Sequence, residues 1–236
     1  MKRIQAFYYP FCLLLVFSLM FSTWSRAATP VPKAPAIGAK SYLLQDFQSG
    51  QSIAEQNADQ PMEPASITKL MTAYVVFTEI RNGSLALSDK VRISEKAWRT
   101  QGSRMFVEVN TQVTVADLLK GMIIQSGNDA TVALAEQIAG TEESFAALMN
   151  HHAKELGLTH SNFINSTGLP DKEHYTSAVD IARIAHALIA EFPEYYQWYS
   201  EREFTYNDIT QYNRNKLLWR DESVDGVKTG HTDSAG

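Results

Sequence analysis

Three short groups of residues in this sequence have types and spacings suited to nucleophilic chemistry. The first is Ser66-Ile67-Thr68-Lys69, in which a hydroxyl and an amine lie three residues apart. On a helix this spacing places both side chains on one face and within mutual reach. A serine hydroxyl becomes a good nucleophile when a base takes its proton, and a lysine amine is such a base once burial or a neighbouring positive charge lowers its pKa. Ser66 and Lys69 are therefore a candidate nucleophile and base.

The second and third groups lie far along the chain from the first. Ser126-Gly127-Asn128 falls between two predicted helices, where a hydroxyl and a carboxamide can project into a cleft. Lys228-Thr229-Gly230 lies on a predicted strand, where the glycine allows close approach and the lysine and threonine suit a carboxylate. Each group alone is as typical of an exposed helix face, a glycine turn or a strand end. Each occurs once, and their occurrence together in this order indicates one site.

The elements that must position these groups are mainly helices. The predicted helices cover Pro64 to Gly83, Thr114 to Gln125, about Asp129 to Ile138, Glu142 to Leu156, and Ala178 to Phe192. Capping boxes are predicted at Thr114-x-x-Asp117 and Ser177-x-x-Asp180. A hairpin is predicted from Ser41–Phe47 and Gln51–Glu55 around Gly50, and a strand over residues 224–232. Strands that flank a mostly helical middle predict an α/β layered domain.

The N-terminal segment has the pattern of a secretory signal peptide. Lys2 and Arg3 precede a mostly apolar run from Phe11 to Phe21, and small residues near Ala27 suit a cleavage site. The run is shorter than the roughly 18 to 20 residues that span a bilayer, so cleavage is expected rather than an uncleaved anchor. We predict a signal peptide over residues 1–27, a Pro-rich linker over 28–39, and export of the protein.

Composition excludes several classes of protein. The chain has 236 residues, 44% of them hydrophobic, with 21 Lys+Arg against 26 Asp+Glu and one cysteine, Cys12, inside the predicted signal peptide. These values exclude a disordered tail and a disulfide-rich mini-protein. Cleavage removes three basic residues and no acidic one, which changes the net charge from −5 to −8. We expect no nucleic-acid partner, because an acidic protein has no basic surface to hold one.

The three groups together resemble the penicillin-recognising serine peptidases, and most closely the low-molecular-mass D-alanyl-D-alanine carboxypeptidases. That family carries S-x-x-K, S-G-N and K-T-G in this order. The resemblance runs from about Tyr42 to the end and includes Gln211–Asn215 and Lys228–Thr232. It implies an α/β (α+β) fold of the serine β-lactamase and DD-peptidase type, with an antiparallel sheet flanked by helices. It also implies that the enzyme needs no metal and no cofactor.

The resemblance assigns a role to each matching residue. Ser66 is acylated by the penultimate D-Ala carbonyl, Lys69 accepts and later returns the proton, Ser126 relays a proton to the leaving amine, and Asn128 holds the substrate amide. The backbone N–H groups of Ser66 and His231 form the oxyanion hole. The other implied substrate-binding residues lie around the terminal carboxylate: Lys228, Thr229, Gly230, Thr232 and Arg214. Two lysines near one nucleophile also make chemical sense, because each positive charge disfavours protonation of the other.

The function implied by the resemblance is removal of the terminal D-Ala from pentapeptide stems of peptidoglycan, in the periplasm or at the outer face of the cytoplasmic membrane. Its expected partners are peptidoglycan stem peptides and β-lactam antibiotics, which acylate the same serine. Two alternatives remain open: an endopeptidase that cuts D-Ala-D-Ala cross-links with the same residues, and an inactive, wall-associated penicillin-binding fragment.

Other hydrolase classes fit the sequence poorly. No Gly-x-Ser-x-Gly elbow is present, which argues against a Ser-His-Asp hydrolase of the α/β type. The six histidines lack the spacing of zinc ligands, which argues against a zinc peptidase. The commonest β-lactamases carry Ser-Asp-Asn and Glu-x-x-Leu-Asn, whereas Gly127 stands at the aspartate position here and the second motif is absent. Slow release of bound penicillin is therefore expected.

The C-terminus departs from the family pattern. In the family, two further strands and a helix follow the K-T-G strand, whereas this sequence ends at Gly236. We therefore expect residues 40–236 to form an incomplete catalytic domain whose sheet lacks its C-terminal strands. Residues 28–236 alone are predicted to fold poorly and to be nearly inactive, because strand 224–232 lacks its neighbour. Membrane association is expected only through a C-terminal anchor that this sequence does not contain.

Overall fold

The structure is a computed structural model that describes residues 34–233. The predicted signal peptide, with Cys12, and the first part of the predicted linker lie outside the described residues. The regular helices are α1 Lys69–Arg81, α2 Glu95–Arg99, α3 Val115–Ile124, α4 Asn128–Ala139, α5 Glu142–Glu155, α6 Ala178–Glu191 and α7 Pro193–Tyr196. Short 3-10 turns cover Ala65–Thr68, Gln197–Ser200 and Lys216–Trp219. Every predicted helix forms, with small differences at the ends.

Helix α1 lies at the centre of the fold. Its residues from Lys69 to Thr78 are all buried, which is expected of a helix that is apolar on nearly every side. It packs against α3, α4, α5 and α6. The shared core includes Phe77 of α1, Leu118 of α3 and Phe145 of α5, each fully buried. The helix therefore carries its first residue, Lys69, into the interior of the protein.

Local signals determine where the helices begin and end. The hydroxyl of Thr114 accepts a hydrogen bond from the N–H of Asp117 at the start of α3, and Ser177 does the same for Asp180 at the start of α6. Both predicted capping residues are therefore confirmed. Helix α4 is followed by Gly140, whose φ of 78° suits a residue without a Cβ.

Within the described residues, the strands form three separate two-stranded antiparallel sheets. The pairs are β1 Tyr42–Gln45 with β2 Ser52–Gln56, β3 Lys90–Arg92 with β4 Gln112–Thr114, and β5 Glu203–Tyr206 with β6 Ile209–Tyr212. The predicted hairpin around Gly50 is confirmed as β1 and β2, and Gly50 adopts a φ of 68° in its turn. This combination of helices and antiparallel strands confirms the mixed fold class. Within residues 34–233, no helix has the length and apolarity that crossing a membrane requires.

The prediction of a strand over residues 224–232 is wrong for this structure. The segment has no regular secondary structure and pairs with no strand among the described residues. Valines favour extended backbone, but a strand also needs a neighbour whose backbone groups complete its ladder. Side-chain hydrogen bonds hold part of the segment instead. Asn215 Nδ2 donates to the carbonyl of Gly226 at 2.8 Å, and the Tyr196 hydroxyl donates to the carboxylate of Asp225 at 3.0 Å.

Candidate active site

A 3-10 turn, rather than the first turn of the α-helix, carries the candidate nucleophile. Ser66 lies in the turn Ala65–Thr68, and Lys69 is the first residue of α1. In a 3-10 turn, residues three apart eclipse one another, which brings these two side chains together. Lys69 Nζ lies 3.0 Å from Ser66 Oγ. The contact predicted from their spacing is therefore present, and Ser66 remains partly exposed.

The amine of Lys69 is buried and has three oxygen partners. Besides Ser66 Oγ, it donates to Asn128 Oδ1 at 2.7 Å and to the carbonyl oxygen of Thr167 at 2.7 Å. Only 1% of Lys69 is exposed. Three fixed partners on one nitrogen leave little freedom for the side chain, so Lys69 Nζ is held next to the serine before any substrate arrives.

The surroundings of Lys69 favour its neutral form. Burial, followed by the positive charge of Lys228, places the pKa of Lys69 well below its ordinary 10.5. The carboxylates of Glu142 and Asp129 act in the opposite direction and are weaker. A neutral amine can donate its two N–H bonds to Asn128 and Thr167 while its lone pair accepts the Ser66 proton. This arrangement is suited to a general base.

The second motif occupies the break between α3 and α4, as predicted. Ser126 is buried and adopts a φ of 70°, an unusual conformation for a residue with a Cβ. Its hydroxyl has no hydrogen-bond partner among the described residues. A buried hydroxyl in this state is free to bond an incoming molecule. The unusual backbone conformation therefore occurs at Ser126, whose hydroxyl has no hydrogen-bond partner among the described residues.

Asn128, at the start of α4, is oriented by both ends of its carboxamide. Its Oδ1 accepts from Lys69, and its Nδ2 donates to the carbonyl of Gln101 at 2.6 Å. The N–H of Asn128 also donates to the carbonyl of Ser103 at 2.7 Å. These bonds determine that the Oδ1 end of the Asn128 carboxamide faces Lys69. The oxygen keeps a second lone pair available for a substrate amide.

Asp129 stabilises the loop that supplies the carbonyls of Gln101 and Ser103. The buried carboxylate of Asp129 accepts from the backbone N–H groups of Met105 at 2.8 Å, Phe106 at 2.9 Å and Val107 at 3.3 Å. Bonds from backbone amides to a buried carboxylate are among the stronger ones in proteins. Asp129 therefore connects residues 105–107 to the start of α4.

The carbonyl of Thr167 comes from a segment that we name the carbonyl loop, residues 163–168. Asn165 Oδ1 accepts from the N–H groups of Thr167 at 3.2 Å and Gly168 at 2.7 Å. Glu142 accepts from the hydroxyl of Ser166 at 2.8 Å. Gly168 has a φ of 83°, and a Cβ there would overlap the carbonyl oxygen of Ala65. The carbonyl loop therefore presses directly on the turn that carries Ser66.

The third motif approaches the same turn from another side. A Cβ added to Gly230 would lie only 3.0 Å from both the Pro64 carbonyl oxygen and Ile67 Cγ1. Lys228 Nζ donates to the carbonyl of its own neighbour, Thr229, at 2.8 Å. The structure therefore brings the S-x-x-K and K-T-G groups together, as their joint occurrence predicted.

A pair of cations accompanies this third motif. Burial, followed by the charge of Arg214, lowers the pKa of Lys228 from 10.5 to about 7. Arg214 is exposed and lies just after β6. Further along the chain, His231 is exposed and Thr232 is partly buried. Two cations that interact electrostatically are suited to binding a carboxylate.

Several members of this site were not predicted from the sequence. The carbonyl oxygens of Thr167 and Gln101 reach Lys69 and Asn128 from distant parts of the chain. A backbone carbonyl is present in every residue, so no pattern of residue types reveals which one is used. Asp129 directly follows the predicted Ser126–Asn128 group. This position next to the group was the only signal for Asp129 in the sequence.

Known D-alanyl-D-alanine carboxypeptidases and penicillin-binding proteins are similar to this chain in sequence and in structure. DacC of Escherichia coli, a D-alanyl-D-alanine carboxypeptidase, is 45% identical over 227 residues, which are 93% of this chain and 57% of the relative. The crystal structure of penicillin binding protein 5 from Haemophilus influenzae has a TM-score of 0.83 and 47% identity, covering 85% of this chain and 60% of that one. An Escherichia coli D-alanyl-D-alanine endopeptidase is more distant, at 29% identity over 96% of this chain and 74% of the relative.

The match extends over nearly the whole chain but over only part of its carboxypeptidase relatives. The chain spans less than two thirds of the length of DacC and of penicillin binding protein 5. The model of one protein family, described as D-alanyl-D-alanine carboxypeptidase, matches residues 28–236. These residues include the whole of the site described above, and the chain therefore belongs to the D-alanyl-D-alanine carboxypeptidase family.

Proposed function

We propose that this chain carries the catalytic residues of a serine-type D-Ala-D-Ala carboxypeptidase, which removes the terminal D-Ala from pentapeptide stems of peptidoglycan. The observation that carries the proposal is the position of Lys69 Nζ, buried, favoured in its neutral form and 3.0 Å from Ser66 Oγ. A base of this kind beside a partly exposed serine is what acyl transfer requires.

In the first step, Ser66 Oγ attacks the carbonyl carbon of the penultimate D-Ala while its proton passes to Lys69. The tetrahedral intermediate then collapses. Its C–N bond breaks, and the amine of the leaving D-Ala receives the proton through the unpaired hydroxyl of Ser126. Water hydrolyses the resulting ester, releases the shortened stem and restores Ser66. The backbone N–H groups of Ser66 and His231 would stabilise the oxyanion, each typically by about 3 kcal/mol.

Substrate binding is assigned to the remaining site residues. The free carboxylate of the terminal D-Ala would bind Lys228, Thr229 and Thr232, with Arg214 adding positive charge. Gly230, which lies against the nucleophile turn, would let the substrate backbone approach closely. Asn128 would accept from a substrate amide through its second lone pair. The selectivity for a terminal carboxylate would then come from the two cations.

We also propose the setting of this activity. A signal peptide over residues 1–27 would direct export to the periplasm or the outer face of the cytoplasmic membrane. The linker 28–39 would lead into the catalytic domain 40–236. β-Lactam antibiotics would acylate Ser66 as substrate mimics, and the acyl-enzyme would release them slowly.

The test is intact-protein mass spectrometry after incubation with benzylpenicillin. It uses residues 28–236, a chimera in which these residues continue into the part of DacC beyond the matched region, and Ser66→Ala of each. A penicillin-sized adduct that disappears in Ser66→Ala supports the proposal. A folded chimera without the adduct contradicts it and favours an inactive wall-associated protein.

A second assay compares two substrates with the same chimera. Release of free D-Ala from a pentapeptide stem is the expected activity. If the chimera cleaves cross-linked dimers faster than it releases D-Ala, the enzyme is an endopeptidase rather than a carboxypeptidase. Ser66→Ala serves as the inactive control for both substrates.

A further inference from the structure

His174 is a buried titratable residue that the proposed mechanism does not use. It is 2% exposed and lies before α6, between the carbonyl loop and the nucleophile turn. Its Nε2 lies 2.8 Å from Thr68 Oγ1, and its Nδ1 accepts from the backbone N–H groups of Ile164 at 3.1 Å and Asn165 at 3.4 Å. The edge of Phe163 covers the ring at a centroid distance of 5.8 Å.

These contacts determine the protonation of the ring. Two N–H donors face Nδ1, so Nδ1 must be the unprotonated acceptor. The single proton of the neutral ring therefore lies on Nε2 and is donated to Thr68 Oγ1. A doubly protonated ring would place a third N–H against the amides of Ile164 and Asn165. The site accommodates one tautomer of one charge state.

Both ends of this bridge reach the partners of Lys69. Thr68 directly precedes Lys69 and lies in the turn that carries Ser66. On the other side, Asn165 holds the N–H of Thr167, whose carbonyl accepts from Lys69 Nζ. The ring of His174 thus connects the turn that presents the serine to the loop that presents the carbonyl.

We propose that His174 is a positioning residue: as the neutral Nε2–H tautomer it keeps Ser66 Oγ and the Thr167 carbonyl at their working distances from Lys69 Nζ. This inference rests on the proposed function, because it concerns the base of that reaction. The side-chain bonds of Asn165 lie within the carbonyl loop and the bond from the Ile67 N–H to the Pro64 carbonyl lies within the nucleophile turn, whereas His174 is a side chain that bonds to both segments.

The burial of His174 favours a neutral ring, although nearby carboxylates act in the opposite direction. Burial lowers its pKa from 6.5 to about 4, against the opposing effects of Asp171, Glu142 and Glu63. The unfolded chain takes up this proton near pH 6.5, while the folded protein resists it until about pH 4. The contribution of His174 to stability is therefore complete above pH 6.5 and declines as the pH falls towards 4.

Two substitutions in the chimera separate positioning from packing. His174→Gln keeps one acceptor and one donor without a titratable group, and His174→Leu removes both. Acylation by benzylpenicillin should slow on the order of 100-fold in His174→Leu, the effect of a misplacement of about 1 Å. The dissociation constant of the initial complex should change little, because the carboxylate-binding residues are untouched. His174→Gln should restore most of the acylation rate.

Matched controls come from His186, which is exposed on α6 and stacks on Phe47. His186→Gln and His186→Leu should leave acylation unchanged. Imidazole ¹⁵N NMR of the chimera should show His174 as the Nε2–H tautomer from pH 8 to 5. The NMR result keeps the inference testable if His174→Leu fails to fold.

Three results would overturn the inference: wild-type acylation in a folded His174→Leu, equal loss of acylation in the Gln and Leu variants, or an Nδ1–H or charged ring at pH 6.5. Absence of any Ser66 adduct in the wild-type chimera would instead refute the proposed function. The ¹⁵N spectrum would still report the tautomer in that case, so the two failures are distinguishable.

Discussion

The two halves of the candidate site are held in different ways. Around Lys69, buried side chains bond to several distant elements, and the lysine alone contacts the nucleophile turn, α4 and the carbonyl loop. Around Lys228, the lysine bonds to its own neighbour. Within the described residues, no backbone N–H from Val227 to His231 donates to a backbone carbonyl. Asn215, through Gly226, is a side-chain tether on the segment 224–232.

This difference separates two tasks. The base and nucleophile must meet within about 3 Å at a fixed angle, and a densely bonded interior provides such accuracy before substrate binds. A carboxylate is attracted by charge over a longer distance, so its binding residues tolerate more freedom. Substitutions in the two halves should therefore act on different kinetic constants.

The largest effect is expected in the half around Lys69. Lys69→Met keeps the length of the side chain but removes the base. Acylation of Ser66 by benzylpenicillin should fall about 10²–10⁴-fold, which is the usual contribution of a general base. Stopped-flow acylation of the chimera measures this, with circular dichroism as the control for folding. A decrease below tenfold would mean that another group takes the proton.

A smaller effect is expected in the half around Lys228. Lys228→Ala should weaken binding of N-acetyl-D-Ala-D-Ala to the Ser66→Ala chimera roughly 10- to 100-fold, the range for a hydrogen bond to a charged group. Calorimetry measures the dissociation constant. The rate of Ser66 acylation from the bound state, measured with Ser66 present, should change less than it does in Lys69→Met. Equal effects on both constants would remove the distinction between the halves.

Binding of N-acetyl-D-Ala-D-Ala to the Ser66→Ala chimera should also depend on pH, because Lys228 loses its charge as the pH rises. Because its pKa lies at about 7, the lysine is charged below that pH, and binding should weaken as the pH rises through 7. Arg214→Gln removes a positive neighbour, so the Lys228 pKa should rise and the decrease in affinity should move to higher pH. If the pH at the midpoint of the affinity decrease is unchanged in Arg214→Gln, the side chains of Arg214 and Lys228 do not interact.

The smallest effect is expected at the tether of the Lys228 segment. Asn215→Ala removes the bond to the Gly226 carbonyl, which is worth about 1 kcal/mol, so ligand affinity should fall roughly fivefold. Ser94→Ala is the matched control, because Ser94 caps α2 as Asn215 caps the 3-10 turn Lys216–Trp219, but Ser94 has no bond to the Lys228 segment among the described residues. A change greater than that in Lys228→Ala would mean that the tether, rather than the lysine charge, governs binding.

Much of this architecture was predictable because its causes are local. Capping residues such as Thr114 and Ser177 bond within their own first turn, so the helices they begin can be recognised from a few neighbouring residues. The pairing of Ser66 with Lys69 is equally local, since three residues of helical or 3-10 backbone bring the two side chains together. The joint order of the three motifs added the expectation that they converge.

Tertiary structure decided what depends on distant partners. The 3-10 turn at Ser66 forms where Gly168 presses against Ala65, and the lowered pKa of Lys69 follows from burial and from Lys228, far away in the sequence. The segment 224–232 was misjudged for the same reason: its residues favour a strand, but hydrogen-bonded pairing depends on a neighbour rather than on the segment itself. The sequence by itself determined which groups are the candidates for the chemistry, and the packing of distant segments determined their distances, the shifts of their pKa values and their partners.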